Sequence, residues 1–154
     1  MKYCRFKRLI TPIALQILFG TGIGLSTYRG LMNSGVPNMS FMFGYLRTSW
    51  TMRVDLVCDY VCRLLNHMDE KGATVCTPTL REQDKDMSVL PWIDGEEFNP
   101  GYMQRALHLM PKRGDHEPWT FSADYYTEKD QLPFVDLDDS ALAYRGPSRD
   151  EEVA

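Results

Sequence analysis

Residues 28–72 constrain this chain more than any other stretch, because they read as one complete strand-turn-helix unit. An apolar run, MSFMFGY at 39–45, is entered through the turn-forming Gly35-Val36-Pro37-Asn38 and left through Gly44-Tyr45-Leu46-Arg47, the pattern of a short buried strand. A long helix follows. Thr48 or Ser49 can cap its first turn. Trp50, Val54, Val57, Val61, Leu64 and Met68 recur at alternating spacings of four and three, which lays one apolar stripe along about five turns. Gly72 ends the helix. Asp59 stands four residues before Arg63 on the outward side, the order the helix dipole prefers, and Lys71 sits near the C-terminal end.

At 154 residues the chain can form one domain with a sizeable core, since domains commonly fall between about 50 and 250 residues. A net charge of −4 and scattered basic residues give no footprint for nucleic acid. Of the four cysteines, Cys58 and Cys62 lie one turn apart in a helix that reads as buried, so small apolar packing is expected of them rather than a disulfide. A thiol-bearing cytoplasmic protein fits this usage. No apolar stretch reaches the roughly 20 residues a membrane span needs. The first 25 residues have two readings. A basic start, MKYCRFKR, followed by LITPIALQILFGTGIGL outlines a secretory signal peptide, but no Ala-x-Ala cleavage site follows it.

Past Gly72 the pattern loosens. Cys76-Thr77-Pro78 and the charged run 81–86 read as a solvated connection. Pro91-Trp92-Ile93 precedes an Asp94-Gly95 turn, and Asn99 caps a short helix with Pro100 at its first position, running through Tyr102, Met103, Ala106, Leu107 and Met110 to Pro111. From residue 120 the chain is aromatic and acidic, and its end, 146–154, reads as disordered. Asp136, Asp138 and Asp139 lack the glycine and closing glutamate of a calcium loop, so a solvated acidic tail is expected and no metal site. His67, His108 and His116 have no carboxylate and nucleophile at recognisable spacing and read as structural or surface residues. No serine elbow, zinc motif or phosphate loop is present, and no catalytic residue is assigned.

Four phrases in order carry a family likeness: YRGLMNSGVPN at 28–38, FGYLRTSWTMRVDL at 43–56, DYVCRLLNHMD at 59–69, and FNPGYMQRALHLMPKRG at 98–114 followed by Pro118-Trp119. Together they resemble the C-terminal portion of the flavin-containing monooxygenases of Baeyer-Villiger type, the group that includes the ethionamide-activating enzymes. Upstream, residues 9–20 can be laid on the family's strand that ends in Ala-Thr-Gly, with Thr11, Leu15, Gln16, Phe19 and Gly20 agreeing. Pro12-Ile13-Ala14 stands in place of the Ala-Thr-Gly, so this end reads as degenerate or mis-started.

The resemblance implies an α/β fold: the C-terminal fragment of a flavoprotein with two dinucleotide-binding domains, made of a strand, a long helix and a loop-rich helical extension. On that reading 1–27 is a degenerate N-terminal segment and 28–72 the closing strand-helix unit of an FAD-binding domain. Residues 73–119 form a C-terminal extension with a short helix, and 120–154 an acidic, partly disordered tail. The cofactors implied are FAD and NADPH. Their glycine-rich phosphate turns are not in this sequence, since Gly20-Thr21-Gly22-Ile23-Gly24 spaces its last two glycines two apart where the fingerprint needs three. Leu46, Arg47, Thr48 and Ser49 occupy the helix N-terminus that the family turns toward the flavin ring, where N–H groups and the dipole can stabilise negative charge on the ring's O2 and N1 edge. The partners implied are the missing N-terminal part of the enzyme, or a second copy joined through the exposed helix face. The chain is then part of a monooxygenase that does not turn over by itself, or alternatively a non-catalytic remnant or partner-binding module.

Overall fold

The computed structural model describes residues 25–46, 48–94, 100–120, 122 and 124–147. The readings placed on 1–24, on Arg47, on Gly95 and Asn99, and on 148–154 lie outside the described residues. The described chain mixes helices with short antiparallel strand pairs. A hairpin of β1 (Thr27–Tyr28) and β2 (Met32–Asn33) comes first. It turns through Arg29 and Gly30, both at positive φ (48° and 63°). Arg29 is held in that left-handed conformation by its N–H to the Pro118 carbonyl (2.7 Å) and its side chain to Glu117 (2.8 Å).

Residues 39–45, expected as a buried strand, carry no regular structure. An interior strand needs neighbours for its N–H and C=O groups, and among the described residues no strand pairs with this segment. Its ties are isolated, such as the Phe41 N–H to the Leu31 carbonyl (2.9 Å), and Met42 is exposed. The turn before it is used differently from a strand entry. Asn38, at φ 52°, donates its N–H to the Cys76 carbonyl and accepts the Cys76 N–H on Oδ1, both at 2.9 Å, so its side chain pairs a strand edge.

Helix α1 (Trp50–Glu70) forms where the periodicity places it. Gly72, at φ 63°, closes it: the Gly72 N–H reaches Asp69 (3.1 Å) and the Ala73 N–H reaches Met68 (2.8 Å), satisfying carbonyls the last turn would leave bare. The buried face is Arg53, Val57, Tyr60, Leu64 and Met68. Val57, Leu64 and Met68 come from the expected stripe, whereas Trp50 is exposed and Val54 and Val61 are half-buried. The helix is rotated toward Tyr60 because Tyr28, Leu31, Trp119 and Leu132 complete the core on that side. Cys58, expected to pack inside, is exposed. Arg63 makes no ion pair with Asp59; its guanidinium donates to the carbonyls of Pro133 and Val135. Leu64→Ala should lower unfolding free energy by about 2 to 5 kcal/mol, read by urea titration, since Leu64 is 5 % exposed in the main core.

The later chain is more regular than its composition suggests. Cys76-Thr77-Pro78, expected in a loop, belongs to β3 (Val75–Pro78), which pairs antiparallel with β6 (Leu142–Arg145). Between them come a 3₁₀ turn at Glu82–Asp84, β4 (Leu90–Pro91), α2 (Gly101–Ala106) running into a 3₁₀ turn at Leu107–Leu109, and β5 (Lys112–Arg113), paired with β4. Pro100 takes the N-cap position of α2. Helix α3 (Tyr125–Gln131) is capped by Asp124, which accepts the Thr127 N–H at 2.9 Å, and leads into a 3₁₀ turn at Leu132–Phe134. The acidic residues expected in a solvated tail tie this end down. Asp138 meets Lys71 (2.5 Å) and His67 (3.3 Å), while Asp139 accepts from the Tyr28 hydroxyl (3.0 Å) and the Ala141 N–H (2.9 Å).

Candidate functional site

Two places bring polar chemistry together. The first is the head of α1. Phe43 lies 5.0 Å from Trp50 and 5.5 Å from Trp92, ring centre to ring centre, and Phe41 lies 5.7 Å from Trp92. Only glycine fits at position 44, because a Cβ there would stand 2.3 Å from Trp50 Cδ2 and 2.8 Å from the Trp50 Cα. Leu46 is half-buried against Trp92 and Ile93, whereas Thr48 and Ser49 are exposed; Arg47 lies outside the described residues. Ser49 sits at the N-cap without a side-chain bond to the helix backbone, its Oγ 2.9 Å from Thr51 Oγ1, and no acid stands in the first turn. That leaves the positive end of the dipole uncompensated by side chains and suited to an electron-rich partner.

Behind this head lies a buried ion pair. Arg53 on α1 donates from Nε and Nη2 to both carboxylate oxygens of Glu128 on α3, at 2.9 to 3.2 Å, with side chains 1 % and 7 % exposed. The same guanidinium donates to the carbonyls of Phe43 (2.7 Å), Gly30 (3.3 Å) and Arg29 (3.3 Å). The Tyr45 hydroxyl donates to Glu128 Oε2 at 2.5 Å. Burial, and then the carboxylate beside it, holds that phenol well above its ordinary pKa. Arg53 lies inside the phrase at 43–56 without a role of its own, and Glu128 lies outside all four phrases. The signal available was phase: Arg53 lies three residues after Trp50 and four before Val57, in step with an apolar stripe, and a cation there demands a buried acid.

The second place is the charged run 81–86, which is not simply solvated. Asp84 is 1 % exposed and takes a two-pronged contact from Arg81 (2.8 and 2.9 Å) plus the Arg81 N–H (2.9 Å). His116 bridges the carboxylates of Asp84 through Nε2 (3.0 Å) and Asp115 through Nδ1 (2.7 Å). With both ring nitrogens engaged, His116 acts as a clasp and not as a base. The Arg81 guanidinium, with His116, holds the Asp84 carboxyl well below its usual range; Asp84 and then Asp115 raise His116 above its own. The depressed acid contributes stability above the unfolded carboxylate value of about 4, and that contribution is lost as pH falls. The raised imidazole contributes below its unfolded value of about 6.5, and is lost as pH rises through the higher folded value. The clasp is therefore complete between about pH 4 and 6.5. Thermal midpoints should separate wild type from His116→Asn at pH 6 and converge by about pH 9; an equal gap at both would contradict the clasp. Among the described residues no group of three or more His, Cys, Asp or Glu side chains could hold a metal ion.

No family model matches the chain, and no solved structure matches it. Curated relatives do. FAD-containing monooxygenase EthA of Mycolicibacterium smegmatis is 39 % identical over 118 residues, covering 77 % of this chain and 23 % of EthA. The probable FAD-binding monooxygenase AlmA of Acinetobacter baylyi is 38 % identical over 144 residues, 87 % of this chain and 28 % of AlmA. The putative FAD-containing monooxygenase MymA of Mycobacterium tuberculosis is 33 % identical over 128 residues, 83 % of this chain and 25 % of MymA. The chain thus spans about a quarter of the length of the relatives it matches. Identity at this level across most of the chain makes it a homologue, about a quarter of their length, of proteins named as FAD-containing or FAD-binding monooxygenases.

Proposed function

We propose that this chain is the C-terminal portion of an FAD- and NADPH-dependent monooxygenase, cytoplasmic, of Baeyer-Villiger or heteroatom-oxygenating type, and that it does not turn over alone. The likeness to EthA carries the reading, because it covers 77 % of this chain and only 23 % of the relative. The local fit is partial. Leu46, Thr48 and Ser49 stand at the head of a 21-residue helix with no acid in its first turn and no side-chain cap, which suits the electron-rich edge of a flavin ring. Leu46 turns inward, so its backbone would serve, while Thr48 and Ser49 lie at the surface. The glycine-rich turns that grip a pyrophosphate are absent from this sequence, so tight binding needs the rest of the enzyme. Bound FAD would supply hydride acceptance from NADPH and activation of oxygen. This chain's own part would be to close the cofactor site and orient the ring. No described helix is long and apolar enough to cross a membrane.

A second reading, a partner-binding module without catalysis, is favoured by the exposure of Met42 (46 %) and Trp50 (47 %) beside the Phe43–Trp92 cluster. One experiment separates the two. The chain is purified alone, and also co-expressed with the N-terminal three quarters of EthA, and flavin absorbance and NADPH oxidation are measured. A colourless chain that restores bound FAD and NADPH oxidation to its partner supports the enzyme reading. Stoichiometric flavin on the chain alone, or a complex that never takes up FAD, refutes it.

A further inference from the structure

Segment 43–45 has no sheet to hold it, yet each of its residues is fixed by a separate contact. The Phe43 carbonyl accepts from Arg53 Nη1 at 2.7 Å. Gly44 lies against the Trp50 ring so closely that no side chain fits. Tyr45 donates to Glu128 and stands edge-on to Tyr125, ring centres 6.0 Å apart. Two of these three depend on Glu128, directly or through Arg53. Glu128 is 75 residues from Arg53 and 83 from Tyr45 along the chain, and it is not needed to start its own helix, because Asp124 caps α3.

We propose that Glu128 is a positioning residue for the cofactor-facing turn: by holding Arg53 and Tyr45 it fixes residues 43–45, and with them the head of α1. The proposal rests on the reading of residues 46–49 as a flavin contact. Its physical basis is desolvation. A carboxylate 7 % exposed, saturated by a guanidinium 1 % exposed and by a phenol, cannot exchange these partners for water, so the loop it holds has one arrangement. Pre-organisation of this kind lowers the ordering cost of binding a ligand at the adjoining helix head. Residues of the tail region, far away in sequence, thereby set the geometry of a turn that carries the family phrase FGYLRTSW.

Tyr45→Phe is the clean probe, because it keeps the ring, the packing on Tyr125 and the Arg53–Glu128 pair while removing one hydrogen bond. Glu128→Gln removes the charge and is the stronger variant; Phe134→Ala, at a side chain 82 % exposed, is the control. In the isolated chain, amide exchange at residues 43–46 should accelerate about tenfold or more in Tyr45→Phe, with the α1 interior from Val57 to Met68 unchanged. In the complex with the N-terminal part of EthA, Tyr45→Phe should weaken FAD about fivefold or more and shift the visible flavin band, while Phe134→Ala does neither. Unchanged exchange at 43–46 overturns the proposal. Faster exchange with wild-type FAD affinity and spectrum also overturns it, and leaves the monooxygenase reading standing. A wild-type complex that holds no FAD removes that reading and this proposal together.

Discussion

Arg53→Ala is expected to destabilise the fold by about 3 to 5 kcal/mol, because it strands a buried carboxylate instead of deleting a surface pair. Arg53 is 1 % exposed, and it serves Glu128 and three backbone carbonyls at once. Its loss leaves Glu128, among the described residues, with only the Tyr45 hydroxyl and leaves the Phe43 carbonyl short of a donor. A single domain carries roughly 5 to 15 kcal/mol in total, so the variant should be largely unfolded at 37 °C. The paired change Arg53→Met with Glu128→Leu should recover part of the loss, since both charges go together. It should still fall about 1 to 3 kcal/mol short of wild type, the usual cost of carbonyls left without partners. Urea unfolding followed by circular dichroism measures both. A single variant that loses less than about 1 kcal/mol would show that the pair does not hold the fold together.

Trp119→Ala should be comparably severe, at about 3 to 5 kcal/mol. Trp119 is fully buried and stands edge-on to Tyr28 at 6.1 Å. Its backbone N–H reaches the His116 carbonyl (2.9 Å), and its carbonyl accepts the Gly114 N–H (2.8 Å), so residue 119 is tied into the loop that carries His116 of the Asp84 clasp. Truncation opens a cavity at the centre of the core where α1, β1 and the 3₁₀ turn at Leu132–Phe134 meet. Trp119→Phe, which refills most of that volume, should lose much less. Equal losses for the two variants would mean that the backbone bonds at 119, and not the ring, support the loop.

Local chemistry was legible and long-range pairing was not. The repeat from Trp50 to Met68 and the glycine at 72 contain what a helix and its end require, and α1 runs from Trp50 to Glu70 with Gly72 in the left-handed conformation. The run 39–45 looked like a strand because apolar composition is all a short buried strand shows, but strand structure resides in a neighbour. None pairs with that run among the described residues, while Val75–Pro78, which read as loop, found one in Leu142–Arg145. The candidate site divides in the same way. Leu46, Thr48 and Ser49 were named from phrase order alone, and the complementation experiment tests their contact with a flavin. Arg53 and Glu128 were not legible as a pair, because they are 75 residues apart and nothing in either neighbourhood names the other.

The sequence by itself determined the helix, its end and the family likeness, since each is encoded by residues within a turn or two of one another or by phrases in fixed order. Only the tertiary structure decided which face of α1 is buried. Tyr28, Trp119 and Leu132, from three distant parts of the chain, meet Tyr60 and Val57, while Trp50, the largest member of the expected stripe, is left half in solvent. It also decided that acidic residues of the charged run 81–86 and of the tail region are fastenings. Asp84, Glu128 and Asp139 each have a partner more than thirty residues away, in His116, Arg53 and Tyr28 respectively. A charge can leave water only where such a partner is brought to it, and that is settled by packing and not by local sequence.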